Sequence, residues 1–488
     1  MNSVQLHFSK QFFITSKELT INNFFAWHQS HLSNEQSLYC HPELIITEEH
    51  NDSTQLVILG VIIDPETPEH TTRDILHSIL SKTDTFAEIE KYLYGLGGRW
   101  VLIIVKNNDC RIYHDAAGLK PVFYKKIDVN THIIASQPAL IEALGYSVRD
   151  SELYSQFHRY PNSQSWPLGV VPFSGVTQLL PNHYLDVDNM AAIRYWPTPS
   201  SGLSYQGIDA VAEQISDLLK GSIKALTLRN ECKMSITGGY DSRMLYSTAK
   251  EHLKKISFFT VKSSFTPLYD IDIPQRIVSK YKLPHKFSQI KKQGQYSSDI
   301  ITILSNNVGN MYYDRSMVNI SIFADLLENC THLPGSVSEI GRCFYFPYGK
   351  RYSKLNGRSL ARYCGFKGNP EAIKSFDNWL TTMPKNMPHD ILDMAYWEHR
   401  LGIWGSCGLT YREGLIEQIP PMNNRRFMEL CLSVPIKDRI DPHNLIRKII
   451  EINDPELLDI PFNDDTRPIN TLFNKYPLLK RIRHRIFK

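Results

Sequence analysis

The run Met234-Ser235-Ile236-Thr237-Gly238-Gly239-Tyr240-Asp241-Ser242-Arg243 is the stretch richest in groups that can do chemistry. An apolar strand pattern at Lys233–Thr237 leads into two glycines and then into a helical pattern from Asp241. Two glycines at such a junction can take backbone conformations closed to other residues and aim successive N–H groups into one concave site. A helix starting near Asp241 adds its own unpaired N–H groups and the positive end of its dipole. Thr237 and Ser242 contribute hydroxyls, and Asp241 contributes a carboxylate suited to a hard cation such as Mg2+. Together these groups suit a pyrophosphate–Mg2+ complex. The same residues also fit a tight strand-to-helix turn, with glycine for packing and Asp-Ser as an N-cap. No Gly-x-x-x-x-Gly-Lys-Ser/Thr segment occurs, so a P-loop kinase or GTPase has no support. Gly95-Leu96-Gly97-Gly98 runs into a strand pattern rather than a helix and reads as a turn.

The elements expected to position this loop alternate. Ile208, Val211, Ile215, Leu218, Leu219, Ile223 and Leu226 recur at helical spacing. Strands follow at Lys233–Thr237 and Ile256–Val261, then a helix near Pro274–Tyr281 and an extended segment at His285–Ile290. This alternation predicts a doubly wound parallel sheet, with a mainly helical remainder to Lys488. The first third reads instead as short strands at Thr54–Ile63, Arg99–Lys106, Arg111–Asp115, Pro121–Tyr124 and His132–Ala135. Helices are predicted at Thr72–Ser81 and, after Ser136 as a cap, at Gln137–Leu144. That half is mixed α/β with antiparallel hairpins. Pro197-Thr198-Pro199-Ser200-Ser201-Gly202 is the clearest linker and divides the chain into domains at 1–198 and 203–488.

Composition narrows the classes. The 488 residues are 42% hydrophobic and 21% charged, which excludes a disordered chain. With 54 Lys+Arg against 50 Asp+Glu, the net charge of +4 is too small for a protein that coats nucleic acid. The apolar runs Leu56–Ile63 and Val101–Val105 fall well short of the ~20 residues of a spanning helix. The start, Met1 to His7, shows no signal-peptide pattern, and eight scattered cysteines read as reduced thiols rather than a disulfide frame. A cytoplasmic protein is expected.

Thr237-Gly238-Gly239-Tyr240-Asp241-Ser242 resembles the Ser-Gly-Gly-x-Asp-Ser pyrophosphate loop of N-type ATP pyrophosphatases, with Thr for the first Ser. Among these the chain resembles the asparagine synthetase family, which includes β-lactam synthetases and lasso-peptide cyclases. His114 through Tyr124 resembles the family's Arg-Asp-x-x-Gly-x-Lys-Pro-Leu-Tyr-Tyr, and Ala135-Ser136-Gln137 its Ala-Ser-Glu. Leu180-Pro181-Asn182-His183 and Arg194-Tyr195-Trp196 match the segment that closes the N-terminal domain. Gly335-Ser336-Val337-Ser338-Glu339-Ile340-Gly341 resembles the second, acidic-glycine loop, and Glu417 through Phe427 the Glu-x-x-x-Pro-Phe-x-Asp segment, preceded by a helix over Trp397–Trp404. The resemblance implies an N-terminal Ntn-hydrolase-like α/β sandwich joined to an ATP-pyrophosphatase domain.

Departures from the family pattern shape the expected activity. Asn2 stands where glutamine-dependent members have a cysteine, and the first cysteine is Cys40. Apolar Leu59-Gly60-Val61-Ile62-Ile63 replaces the Asn-Gly-Glu glutamine-binding segment, and Gly98-Arg99 replaces Gly-Asp. Nucleophile and clamp are missing together, so no glutaminase activity is expected. In the acidic loop only Glu339 is a carboxylate, with Ser338 where Asp is expected. Ile460 through Asp465 lacks the lysine that the family uses in amidation, leaving Lys448 and Arg467 as substitutes.

The resemblance then implies carboxylate activation: a substrate carboxylate attacks the α-phosphorus of ATP, and an amine or ammonia displaces AMP. ATP and Mg2+ are the implied cofactors. Asp241 and Glu339 would hold the metal, with Lys448 as a catalytic cation. Ile236, Thr237, Gly238, Gly239, Ser242, Val261, Gly335 and Ser336 would join Asp241 around the nucleotide. Arg243 and Lys262 would face phosphates or substrate, or else be ordinary helix-face and loop charges. The implied substrates are a carboxylate (peptide, sugar acid or aspartate-like) and an amine or ammonia, with a homodimer or pathway partner possible and no nucleic acid. Two rivals stand beside this reading. One is a catalytically silent ATP-binding or scaffold homologue in a peptide- or polysaccharide-modification pathway. The other is a tRNA-modifying ATP pyrophosphatase, opposed by the near-neutral charge. The basic amphipathic stretch Lys475–Lys488 reads either as a contact for an anionic surface or as a docked terminal helix. Aromatic Cys343 through Tyr348 reads as an acceptor-pocket wall or as core.

Overall fold

The computed structural model describes residues 6–16, 26–158, 166–262, 268–289, 298–312, 330–346, 355–440 and 444–463. The N-terminal half contains β1 (Phe12–Thr15), β2 (His28–His31), β3 (Ser37–Cys40), β4 (Ile46–His50), β5 (Thr54–Ile63) and β6 (Gly97–Lys106). It continues with β7 (Asp109–His114), β8 (Phe123–Lys126), β9 (His132–Ala135), β10 (Thr177–Gln178), β11 (His183–Asp186) and β12 (Ala191–Arg194). These form two six-stranded antiparallel sheets, ordered β10-β8-β9-β1-β3-β2 and β12-β11-β7-β6-β5-β4.

Side-chain alternation explains why they stack. Val57 and Leu59 of β5 with Val101, Ile103 and Val105 of β6 meet Phe12, Ile14, Leu38 and Ile134 of the facing sheet. Their neighbours Leu56, Ile58, Ile62, Leu102 and Ile104 point the other way, under helices Thr72–Lys82 and Phe86–Leu93. Both faces of β5 and β6 are therefore covered, which a period of two permits only when both residue sets are apolar. Each of the two helices opens on a capping box, at Thr71/Asp74 and Thr85/Glu88.

The C-terminal half carries β13 (Cys232–Ser235), β14 (Ile256–Lys262), β15 (His285–Gln289), β16 (Thr331–His332) and β17 (Glu417–Gln418). All four pairings are parallel, in the order β15-β14-β13-β16-β17. Helices Ile208–Arg229, Tyr240–Thr248 and Tyr269–Tyr281 alternate with these strands, and the described residues after them are mainly helical. The expected α/β architecture of antiparallel sandwich plus doubly wound parallel sheet is what the chain adopts. No helix among the described residues is long and apolar enough to cross a membrane. All eight cysteines are free, and seven are buried.

Several boundaries differ from expectation. Strands β1 to β4 were not legible before Thr54. The cap of Pro138–Ala143 is Gln137, because the Ser136 hydroxyl is bonded to the backbone of Phe12. Pro274 lies inside the helix Tyr269–Tyr281 rather than at its start. Trp397–Trp404, expected as an ordinary helix, lies within a wider π-helix over Tyr396–Gly405.

The two halves share one apolar core and are joined by buried charge. Phe13, Phe123 and Ile133 of the first half belong to the same cluster as Met234, Trp397 and Phe427 of the second. Gly221 lies where a Cβ would meet the Pro65 carbonyl at 2.0 Å, so glycine permits the close approach of helix and sandwich. Arg99 and Lys120 both reach Glu413, at 3.2 and 2.8 Å, and all three side chains are almost fully buried. The Arg99 guanidinium also donates to the Leu119 carbonyl and the Thr410 hydroxyl. Asn423 donates to Gly98 O and Asp115 Oδ1 and accepts from Ala117 N–H. Burial raises the Glu413 carboxyl, but Arg99 and Lys120 outweigh it and hold the group below its usual range. A depressed carboxyl stabilises the fold above its unfolded pKa, and that stability is lost as pH falls through the folded value.

Removing this carboxylate strands two buried cations. Glu413→Ala is predicted to cost about 3–5 kcal/mol, read as a lowered denaturation midpoint at neutral pH. An unchanged midpoint would show that the interface does not depend on the pair.

Candidate functional site

Strand β13 ends at Ser235, and Ile236–Gly239 form the turn into helix Tyr240–Thr248 at the carboxyl edge of the parallel sheet. In this fold class, ligands bind beyond the carboxyl ends of the strands. The helix N-cap is Gly239, and no side chain caps it. Gly239 thus brings no side chain of its own to the helix start, whose N–H groups and dipole suit an anion. The Thr237 and Ser242 hydroxyls lie 2.8 Å apart, and Thr237 Oγ1 also accepts from Gly239 N–H at 3.2 Å. Thr237 is exposed and Gly238 buried.

The second loop, Gly335–Arg342, faces the first. The Ser338 hydroxyl donates to Asp241 Oδ1 at 2.6 Å. Arg342 Nη2 lies 3.1 Å from Asp241 Oδ2 and 3.1 Å from Glu339 Oε1. A Cβ at Gly335 would stand 3.0 Å from Asp241 Cβ, a tight contact that glycine avoids where the loops meet. Val337 holds φ of +83°, a sparsely populated conformation for a β-branched residue, with its side chain buried. Tyr396 lies with its hydroxyl 3.4 Å from Glu339 Oε2. Burial and the Glu339 charge hold that phenol well above its usual range, so it stays a donor.

The sequence thus placed Asp241, Glu339, Thr237, Gly238, Gly239, Ser242, Gly335 and exposed Ser336 along two loops that do meet. Others stand differently. Ile236 donates its N–H to Phe259 O at 2.8 Å and accepts the Thr260 hydroxyl at 2.6 Å, so its backbone is engaged within the sheet. His285 Nε2 lies 2.8 Å from the same hydroxyl. Val261 is half-buried in β14, in register with Ser288 of β15.

Lys448, expected as a catalytic cation, pairs instead with Asp209 and Glu451 at 2.9 Å each. Its neighbour Arg447 is the one turned inward, donating to the Tyr240 hydroxyl at 2.9 Å. One residue of helical rotation separates these two fates. Arg243 faces neither phosphate nor solvent. It is fully buried, donates to Ile460 O at 2.6 Å and to Pro461 O, and lies 4.0 Å over the Phe462 ring. Phe462 in turn stacks on Tyr240 at 3.8 Å, and Asn463 N–H donates to Gly238 O at 2.9 Å. The segment expected to supply a lysine is therefore fastened to the back of the glycine loop. Arg467, Asp464, Asp465, Pro347, Tyr348 and the tail Lys475–Lys488 lie outside the described residues. Phe344 packs on Tyr345 and Tyr396.

A divalent cation fits poorly between Asp241 and Glu339 in this arrangement. Mg2+ needs oxygen ligands at about 2.0–2.1 Å in octahedral geometry. Here both carboxylates already converge on Arg342, and Ser338 and Tyr396 approach the remaining oxygens. No group of three or more His, Cys, Asp or Glu side chains suited to a metal occurs among the described residues. Arg342 and Ser338 were not singled out from sequence as ligands of Asp241. The Glu339–Arg342 spacing of three on a single turn was the visible signal.

No family model and no curated protein matches the chain. Among solved structures, it is similar to a glutamine phosphoribosylpyrophosphate (PRPP) amidotransferase from B. subtilis, complexed with ADP and GMP. The identity is 11% over 70% of this chain and 72% of that one, with a TM-score of 0.24. A structure described as the allosteric regulatory enzyme of purine biosynthesis is similar at 9% identity over 69% and 74%, with a TM-score of 0.23. Likeness at this level carries no conclusion about chemistry.

Arg243→Met is predicted to orphan the Ile460 and Pro461 carbonyls, at about 1–3 kcal/mol each. Hydrogen exchange should accelerate across Leu457–Asn463 while β13 and β14 stay protected. Unchanged exchange there would contradict the tether.

Proposed function

We propose that the chain is an ATP-dependent amide-bond-forming ligase of the asparagine synthetase type. It adenylates a substrate carboxylate, releases pyrophosphate, and passes the acyl group to an amine or ammonia. The observation that carries this reading is the uncapped Thr237–Ser242 loop at the sheet's carboxyl edge, held against the Gly335–Arg342 loop through Asp241 and Ser338. Bound ATP would supply the electrophilic phosphorus and the leaving pyrophosphate.

The chain's own groups have definable tasks. First-turn N–H groups of helix Tyr240–Thr248 and the Thr237 and Ser242 hydroxyls bind the pyrophosphate oxygens, where charge grows as the bond breaks. Asp241 positions the second loop. Arg243, through its carbonyl contacts behind Gly238, keeps the first loop from shifting. These donors are fixed before the reaction, so little reorganisation accompanies charge development.

Glutamine hydrolysis is not part of the proposal. Cys40, the first cysteine, is buried in β3, and burial pushes its thiol up to about 12. Arg99, at the position expected for part of the glutamine clamp, is committed to Glu413. A silent ATP-binding homologue is the second reading, favoured by the pairing of Lys448 away from the loops.

Incubation with ATP and a panel of peptide, uronic-acid and aspartate-like carboxylates plus ammonia should yield AMP and pyrophosphate. Asp241→Ala is expected to lower that yield by about 10²-fold or more. ADP and phosphate as products, or full activity in Asp241→Ala, would reject the ligase. ATP binding without turnover on any of the panel would favour the silent homologue.

A further inference from the structure

We infer that Arg342 is the resident cation of this site, filling the position between Asp241 and Glu339 that a protein-held divalent ion would otherwise take. The inference deepens the ligase reading and rests on it only for the identity of the ligand.

The geometry is specific. A single nitrogen, Nη2, stands 3.1 Å from one oxygen of each carboxylate. A metal bridging the two groups would occupy the same space, because each carboxylate turns an oxygen toward that point. The remaining oxygens are approached by the Ser338 and Tyr396 hydroxyls, so each carboxylate is held in orientation from both sides. A guanidinium cannot lose its charge at physiological pH and, unlike a metal, does not depend on the free ion concentration. Two negative charges against one positive leave the cluster at a net −1, weaker bait for a divalent ion than a bare carboxylate pair.

The guanidinium also keeps donors in reserve. Both ion pairs run through Nη2, and the buried Nε has no partner among the described residues. Only 19% of the Arg342 side-chain surface is exposed, so an unpaired Nε here is costly unless a ligand meets it. Arg342 also sits on the turn Ser338–Arg342, whose loop touches Asp241 at the start of the anion-binding helix. The chemistry that would complete it is an anionic oxygen. Divalent metal then enters chelated by the triphosphate and not on the protein carboxylates.

Manganese titration without nucleotide, followed by electron paramagnetic resonance, tests the claim on the full chain. The wild-type protein should show no Mn2+ site tighter than about 1 mM. Arg342→Gln, which removes the charge and keeps a polar side chain, should create a site at least tenfold tighter, lost again in Arg342→Gln with Asp241→Asn. A wild-type site tighter than 1 mM that Asp241→Asn abolishes would overturn the inference. So would an Arg342→Gln protein with a native circular dichroism spectrum and no new site. Because no nucleotide is present, failure of ATP to bind would reject the ligase reading without deciding this result.

Discussion

The Asp241 carboxylate is the contact on which the site's shape depends. One oxygen takes the Ser338 hydroxyl and the other takes Arg342, so one side chain joins two loops that are 97 residues apart. The approach is close enough that a Cβ at Gly335 would stand only 3.0 Å from Asp241 Cβ. Val337 holds a backbone conformation that a β-branched residue seldom adopts, and its burial together with the Ser338 bond keeps it there. Asp241 is thus directed toward the second loop, beside a helix start that Gly239 leaves without a side-chain cap.

That loop pair is mounted on a rigid base made by both halves of the chain. The parallel sheet supplies the edge, and Arg243 ties the Ile460–Pro461 backbone behind Gly238. The sandwich is fixed to the same body by Glu413 with Arg99 and Lys120, and by Asn423 across Gly98, Asp115 and Ala117. Arg99, a buried charge of the sandwich, thus serves attachment. Removing the sandwich would expose a core that runs through both halves.

The parts of the fold with strong periodicity were legible in the sequence. The apolar run Thr54–Ile63 and the helix beginning at Ile208 matched their observed starts, and the parallel strands around the glycine loop fell within a few residues. Strands β1 and β3 were not, because four-residue segments buried throughout carry no alternation to read. At the site, residue types announced the two loops but not which cation would serve them. Lys448 and Arg447 differ by one step of helix rotation, and only packing decides which faces Tyr240. Arg243 read as a helix-face charge or a phosphate ligand because nothing local reveals that Leu457–Pro461 returns to cover it. Arg342 lay in plain view three residues after Glu339, yet its reach to Asp241 is a tertiary fact.

The account turns on whether the Thr237–Ser242 loop binds ATP. Isothermal titration of the full chain with ATP, in the presence of Mg2+, measures this directly. One site per chain, strongly weakened when a Gly239→Glu side chain places negative charge at the helix start, is the predicted result. Absence of binding, or binding that Gly239→Glu leaves untouched, would contradict it.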